Sequence, residues 1–84
     1  MFIVIDHLPP DVNKQQIKRL LRNTEIIQSI IIKSLKKDAV AWVKLDENSR
    51  AVINHIAEWV SDQYMDGYKL SAQAPLFFNE PWVH

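Results

Sequence analysis

The chain has no cysteine and one glycine in 84 residues, and its ten Lys/Arg are matched by ten Asp/Glu, so its formal net charge is zero. Each shortage removes a class of protein. Without cysteine there is no disulfide framework, no thiol nucleophile and no thiolate zinc site, and a reducing cytoplasm is the default expectation. No glycine-rich loop follows the first apolar segment, so a phosphate cradle of the acylphosphatase kind is not expected. No apolar run approaches the ~20 residues needed to span a bilayer, and no membrane association is expected. The N-terminus opens directly on Phe2-Ile3-Val4-Ile5-Asp6 rather than on a basic segment and a longer apolar one, so no signal peptide is expected. His7, His55 and His84 lack metal-ligand spacing, and the scattered Ser, His and Asp form no recognisable nucleophile motif. No catalytic residue, metal or cofactor is expected, and the expected role is binding rather than catalysis.

What is present fits one domain with a single core. Charge is unevenly placed along it. Residues 1–45 carry eight Lys/Arg (14, 18, 19, 22, 33, 36, 37, 44) against four acids (6, 11, 25, 38), or +4, and the remainder carries two against six, or −4. One half can therefore face an anion although the whole chain lacks the basic excess common in nucleic-acid binders.

Ile3-Val4-Ile5-Asp6-His7-Leu8 reads as a first strand, closed by Pro9-Pro10. Asn13 with Gln16 three residues later is a capping box, and Ile17, Leu20 and Leu21 then share one helical face while Lys14, Lys18 and Arg22 form a solvated stripe. Residues 26–33 are rich in β-branched side chains and predict a second strand, joined through Ser34-Leu35-Lys36-Lys37 to a third at Asp38-Ala39-Val40-Ala41-Trp42-Val43-Lys44-Leu45. Asp46 to Ser49 offers caps for a second helix with an apolar face of Val52, Ile53, Ile56 and Val60, ending near Ser61 or Asp62. His55 and Trp59, four apart, flank that face and can touch. Gly67 then marks a turn before an alternating strand through Tyr68, Leu70 and Ala72.

The predicted architecture is α+β: a ferredoxin-like βαββαβ sandwich, with two helices on one face of a four-stranded antiparallel sheet. Its element order, the Ile3–Leu8 hexamer, the Asp38–Leu45 octamer and the Gly67 turn together resemble the RNA recognition motif, over residues 2–74. In that family the first strand ends in Asn-Leu and the third reads Lys/Arg-Gly-aromatic-Gly/Ala-aromatic-Val-x-aromatic. The resemblance implies a domain over residues 1–74 that binds single-stranded RNA through its sheet. Residues 75–84, with Leu76, Phe77, Phe78 and Trp82, form an apolar tail expected to dock on the domain, most readily on the sheet.

Alternation turns Ile3, Ile5, Ala41, Val43 and Leu45 to the core, and Val4, Val40, Trp42 and Lys44 to the outer face. At the three positions where the family stacks bases, this chain has Val4, Val40 and Trp42, so one ring remains. Stacking contributes roughly 1–3 kcal/mol per base, and losing two platforms costs about 2–6 kcal/mol, so RNA binding is expected to be weak. The resemblance places His7 at the Asn position, against a base or phosphate, and Lys33, Lys36, Lys37, Lys44 and Lys69 as phosphate contacts. Plainer roles stand beside these: a loop histidine, a solvated hairpin tip guarding an edge strand, and an apolar patch of Val4, Ile31, Val40 and Trp42 covered by the tail or a protein. Accordingly, a protein-interaction module using the apolar sheet face or the second-helix flank, with another protein or a second copy as partner, is the main alternative. An ACT-like regulatory domain is the further one.

Overall fold

The computed structural model describes residues 1–22 and 24–75. Its elements run β1 (Phe2–Leu8), α1 (Lys14–Leu21), a 3-10 turn (Thr24–Ile26), β2 (Ile27–Ser34), β3 (Ala39–Leu45), α2 (Arg50–Ser61), β4 (Tyr64–Met65), β5 (Tyr68–Lys69) and β6 (Ser71–Gln73). The main sheet is antiparallel in the order β2-β3-β1-β6, as the α+β sandwich requires. The expected tail docking, which involves Leu76, Phe77 and Phe78, falls outside the described residues.

Both helices start where the sequence supplies a cap. The Asn13 side chain accepts from the Gln16 backbone N–H at 2.9 Å while the Gln16 side chain accepts from the Asn13 N–H at 2.9 Å, satisfying two donors that the first turn of α1 leaves unpaired. Ser49 caps α2, its hydroxyl accepting from Val52 N–H at 3.3 Å. Ile17 and Leu21 of α1 and Ile53, Ala57 and Val60 of α2 are buried, and all of these but Ala57 join Ile3, Ile5, Ala41, Val43 and Ile30 in one core on a single side of the sheet. Val52 departs from the expected apolar face and is 40% exposed. Ile53, Ala57 and Val60 lie on one stripe at helical spacing, and Val52, a ~100° rotation from Ile53, falls outside it.

Two departures affect the functional face. First, the expected fourth strand is divided. Asp66 and Gly67 both take positive φ, 49° and 83°, closing a separate two-stranded hairpin of β4 and β5 that pairs Tyr64 with Lys69 and Met65 with Tyr68. This is the turn chemistry that Asp-Gly favours between short strands. Buried Leu70 anchors the chain before only Ser71–Gln73 returns to pair with β1. The Ser61 hydroxyl donates to Ala72 C=O at 3.1 Å and accepts from Ala72 N–H at 3.0 Å, so α2 supplies partners along the free edge of β6. Second, β1 bulges. Ile5 opposes Ala41 but Leu8 opposes Ala39, so Asp6 and His7 together face Val40, with His7 at φ 64°. The extra residue switches the alternation, which is why Ile3, Ile5 and Leu8 are all buried.

Candidate nucleic-acid interface

Strand register lays out the outer face of the sheet in three rows. Phe2, Lys44 and Ser29 form one, and Gln73, Val4, Trp42 and Ile31 cross the middle. The third holds Ser71, Asp6, Val40 and Lys33. Trp42 therefore stands near the centre, half-buried, with Val4 and Ile31 as cross-strand neighbours and Val40 and Lys44 two residues away along β3. Such neighbours lie within side-chain reach. The β-branched Val4 and Ile31 flank Trp42 on the two neighbouring strands, so the face is apolar in the middle, with a lysine in each outer row.

All four expected outward positions on β1 and β3, Val4, Val40, Trp42 and Lys44, share this face. Lys33 joins them in the third row. Lys36 and Lys37 are exposed in the β2–β3 loop, which is closed by a 2.7 Å hydrogen bond from Leu35 N–H to Asp38 C=O. His7 is exposed at the β1 bulge, beside the Val40 end of the platform. Lys69 stands apart from the main sheet because β5 pairs with β4. Its hairpin is nonetheless tied to the basic loop, since the Tyr68 hydroxyl donates to Lys37 C=O at 3.3 Å. Lys69 is exposed in that hairpin, next to Tyr68 in β5, and is not on the platform with Lys44.

Phe2 was not singled out from the sequence, although its parity with Val4 was the available signal. It opposes Lys44, whose ammonium lies 5.9 Å from the ring centroid, within cation–π range. Phe2 is also a diagonal neighbour of Trp42, roughly 7–8 Å away in an antiparallel pair. Asp6 is a second omission and an opposing one, since its carboxylate occupies the same face as Lys33. No group of three or more potential metal ligands occurs among the described residues, and no described helix is long and apolar enough to cross a membrane.

No family model matches the sequence, and no curated protein does. Solved structures do match in three dimensions. The Mip6 RRM3 domain superposes with a TM-score of 0.71 at 14% identity, covering 86% of this chain and 88% of that one. The C-terminal RNA recognition motif of the U11/U12 65K protein gives 0.73 at 10% identity, over 90% of this chain and 69% of that one. The C-terminal RRM domain of MEC-8, solved bound to AGCACA, gives 0.67 at 12% identity over 94% of both chains. The chain has the RNA-recognition-motif fold.

Proposed function

We propose that this protein binds single-stranded RNA weakly through the outer face of its sheet and carries out no reaction on it. The observation that carries the reading is the position of Trp42, a half-exposed residue at the centre of the sheet with apolar cross-strand neighbours on two sides and lysines in the flanking rows. A base stacks on the Trp42 indole, and Val4, Val40 and Ile31 limit its lateral movement. Lys44 and Lys33 meet phosphates on either side, and His7, Lys36, Lys37 and Lys69 extend the contact beyond the platform. The MEC-8 domain of the same fold was solved bound to AGCACA, which supports RNA as the class of ligand. Weakness follows from aliphatic Val4 and Val40, since each missing ring forgoes roughly 1–3 kcal/mol of stacking.

Titration of short single-stranded RNA at low salt, followed by amide NMR, tests the reading. Shifts are expected at Val4, Val40, Trp42 and Lys44, with smaller ones at His7 and the 34–38 loop. A mixed-sequence RNA pool that leaves this face unperturbed at millimolar concentration would overturn it.

A further inference from the structure

The helical side holds a surface that RNA binding on the sheet leaves unused. α1 has the sequence Lys-Gln-Gln-Ile-Lys-Arg-Leu-Leu, without an acidic residue, and Lys14, Lys18, Arg19 and Arg22 at its C-cap are all exposed. None of Lys14, Lys18 and Arg19 has an ion-pair partner among the described residues. Where this basic stripe ends, the Arg22 guanidinium carbon sits 4.7 Å from the Trp59 ring centroid, and the Trp59 indole N–H donates to Leu20 C=O at 3.4 Å. Leu21, Arg22, His55, Ile56 and Trp59 line a concavity of about 210 Å³ there. Arg22 also belongs to a neighbouring open groove that includes Lys18, Arg19 and Ile27.

We infer that this side binds a short acidic peptide segment bearing one large apolar side chain. The apolar notch is smaller than the ~300–1,000 Å³ typical of a whole small-molecule site, so it suits a single side chain. Leu21 and Ile56 are aliphatic, and the one N–H of Trp59 is already committed to Leu20. Arg22 and His55 also line the notch, so its polar contacts come from a guanidinium and an imidazole at the side of the apolar surface, a pairing that suits a carboxylate next to an apolar anchor. The adjoining cations give the partner its charge. Carboxylates flanking the anchor would meet Arg22, Arg19 and Lys18, and guanidinium groups pair with carboxylates through two parallel hydrogen bonds. Because this surface lies across the sheet from Trp42, the protein can hold RNA and such a peptide at once.

The probe is a synthetic Asp/Glu-rich peptide with one central leucine, added to the full chain and followed by amide NMR. Shifts are expected at Lys18, Arg19, Arg22, His55, Ile56 and Trp59 and not at Val4, Val40, Trp42 or Lys44. The double variant Lys18→Glu, Arg19→Glu changes two exposed positions. It should weaken the peptide by about tenfold or more while leaving the RNA response of the sheet unchanged. A peptide with serine in place of the leucine should bind correspondingly worse. Four results would overturn the inference: no shift at millimolar peptide, equal binding of the serine peptide, equal shifts of these amides by polyphosphate or RNA, or occupation of this side by a second copy, seen as concentration-dependent shifts without peptide. Failure of RNA to bind the sheet would leave these readouts untouched.

Discussion

β1 and β3 offer two faces built from alternating residues of the same short segments, and the two faces answer to different constraints. On the inner face Ile3, Ile5, Ala41, Val43 and Leu45 are at most 2% exposed. On the outer face Val4, Val40, Trp42 and Lys44 remain half-buried. An inner position must exclude water and fill a given volume against Ile17, Ile53 and Val60, so only an apolar residue of suitable size serves. An outer position is restrained mainly by its cross-strand neighbours and by whatever binds there. Its residue type can change while the fold persists. This is how the chain can match solved structures at TM-scores of 0.67–0.73 with 10–14% identity.

The difference is largest in stability. Ile5→Ala empties a fully buried site and should cost about 2–5 kcal/mol by chemical denaturation, enough to unfold much of so small a domain. Val4→Ala, one residue away, should cost about 1 kcal/mol or less, because its side chain is already partly hydrated. Comparable losses at the two positions would mean that the outer face is packed as tightly as the inner one, and the division between them would fail.

Affinity should respond in the opposite sense. Trp42→Ala should leave the denaturation midpoint nearly in place while weakening RNA by roughly 1–3 kcal/mol, on the order of 5-fold to 150-fold. Val4→Tyr restores a ring beside Trp42 and should strengthen RNA by up to a similar amount. If Trp42→Ala left RNA affinity intact, the indole would be a cover for the sheet instead of a platform. If Val4→Tyr brought no gain, the low affinity would have a cause other than missing rings.

The same division explains what was legible in the sequence. Inner positions announce themselves through period-two hydrophobicity, and the capping box at Asn13 and Gln16 and the several cap candidates from Asp46 to Ser49, of which Ser49 is used, mark both helices, so element order and sheet topology could be read directly. Breaks in the period were harder to see. Ile5 and Leu8, three apart and both buried, required a bulge, and His7 absorbs it with φ 64°. Asp66-Gly67 was readable as a turn, but its strands are two residues each, too short to show alternation, so Lys69 was assigned to the main sheet instead of the hairpin. Phe2 precedes the hexamer that carries the resemblance, so only register, which sets it opposite Lys44, marks it as part of the outer face. On the outer face nothing in the periodicity distinguishes a residue that holds a ligand from one that meets solvent.

The smallest effect concerns the edge of the platform, where charge and not stacking is at stake. Lys36 and Lys37 are exposed in a loop whose backbone is held by the Leu35–Asp38 hydrogen bond and by the Tyr68 hydroxyl, so replacing them should not disturb the sheet. Each lysine that meets a phosphate of a single strand releases a counterion and contributes about 0.7 to the slope of log K against log salt. The variant Lys36→Ala, Lys37→Ala should therefore lower affinity several-fold at low salt, flatten the slope by up to about 1.4, and leave the Trp42 response unchanged. RNA titrations at three or more salt concentrations measure that slope. An unchanged slope would assign these lysines to a solvated hairpin tip and confine the RNA footprint to the three rows around Trp42. A slope that falls while the Trp42 shifts persist would place the strand's phosphates over the loop, with stacking and charge acting at separate ends of one path.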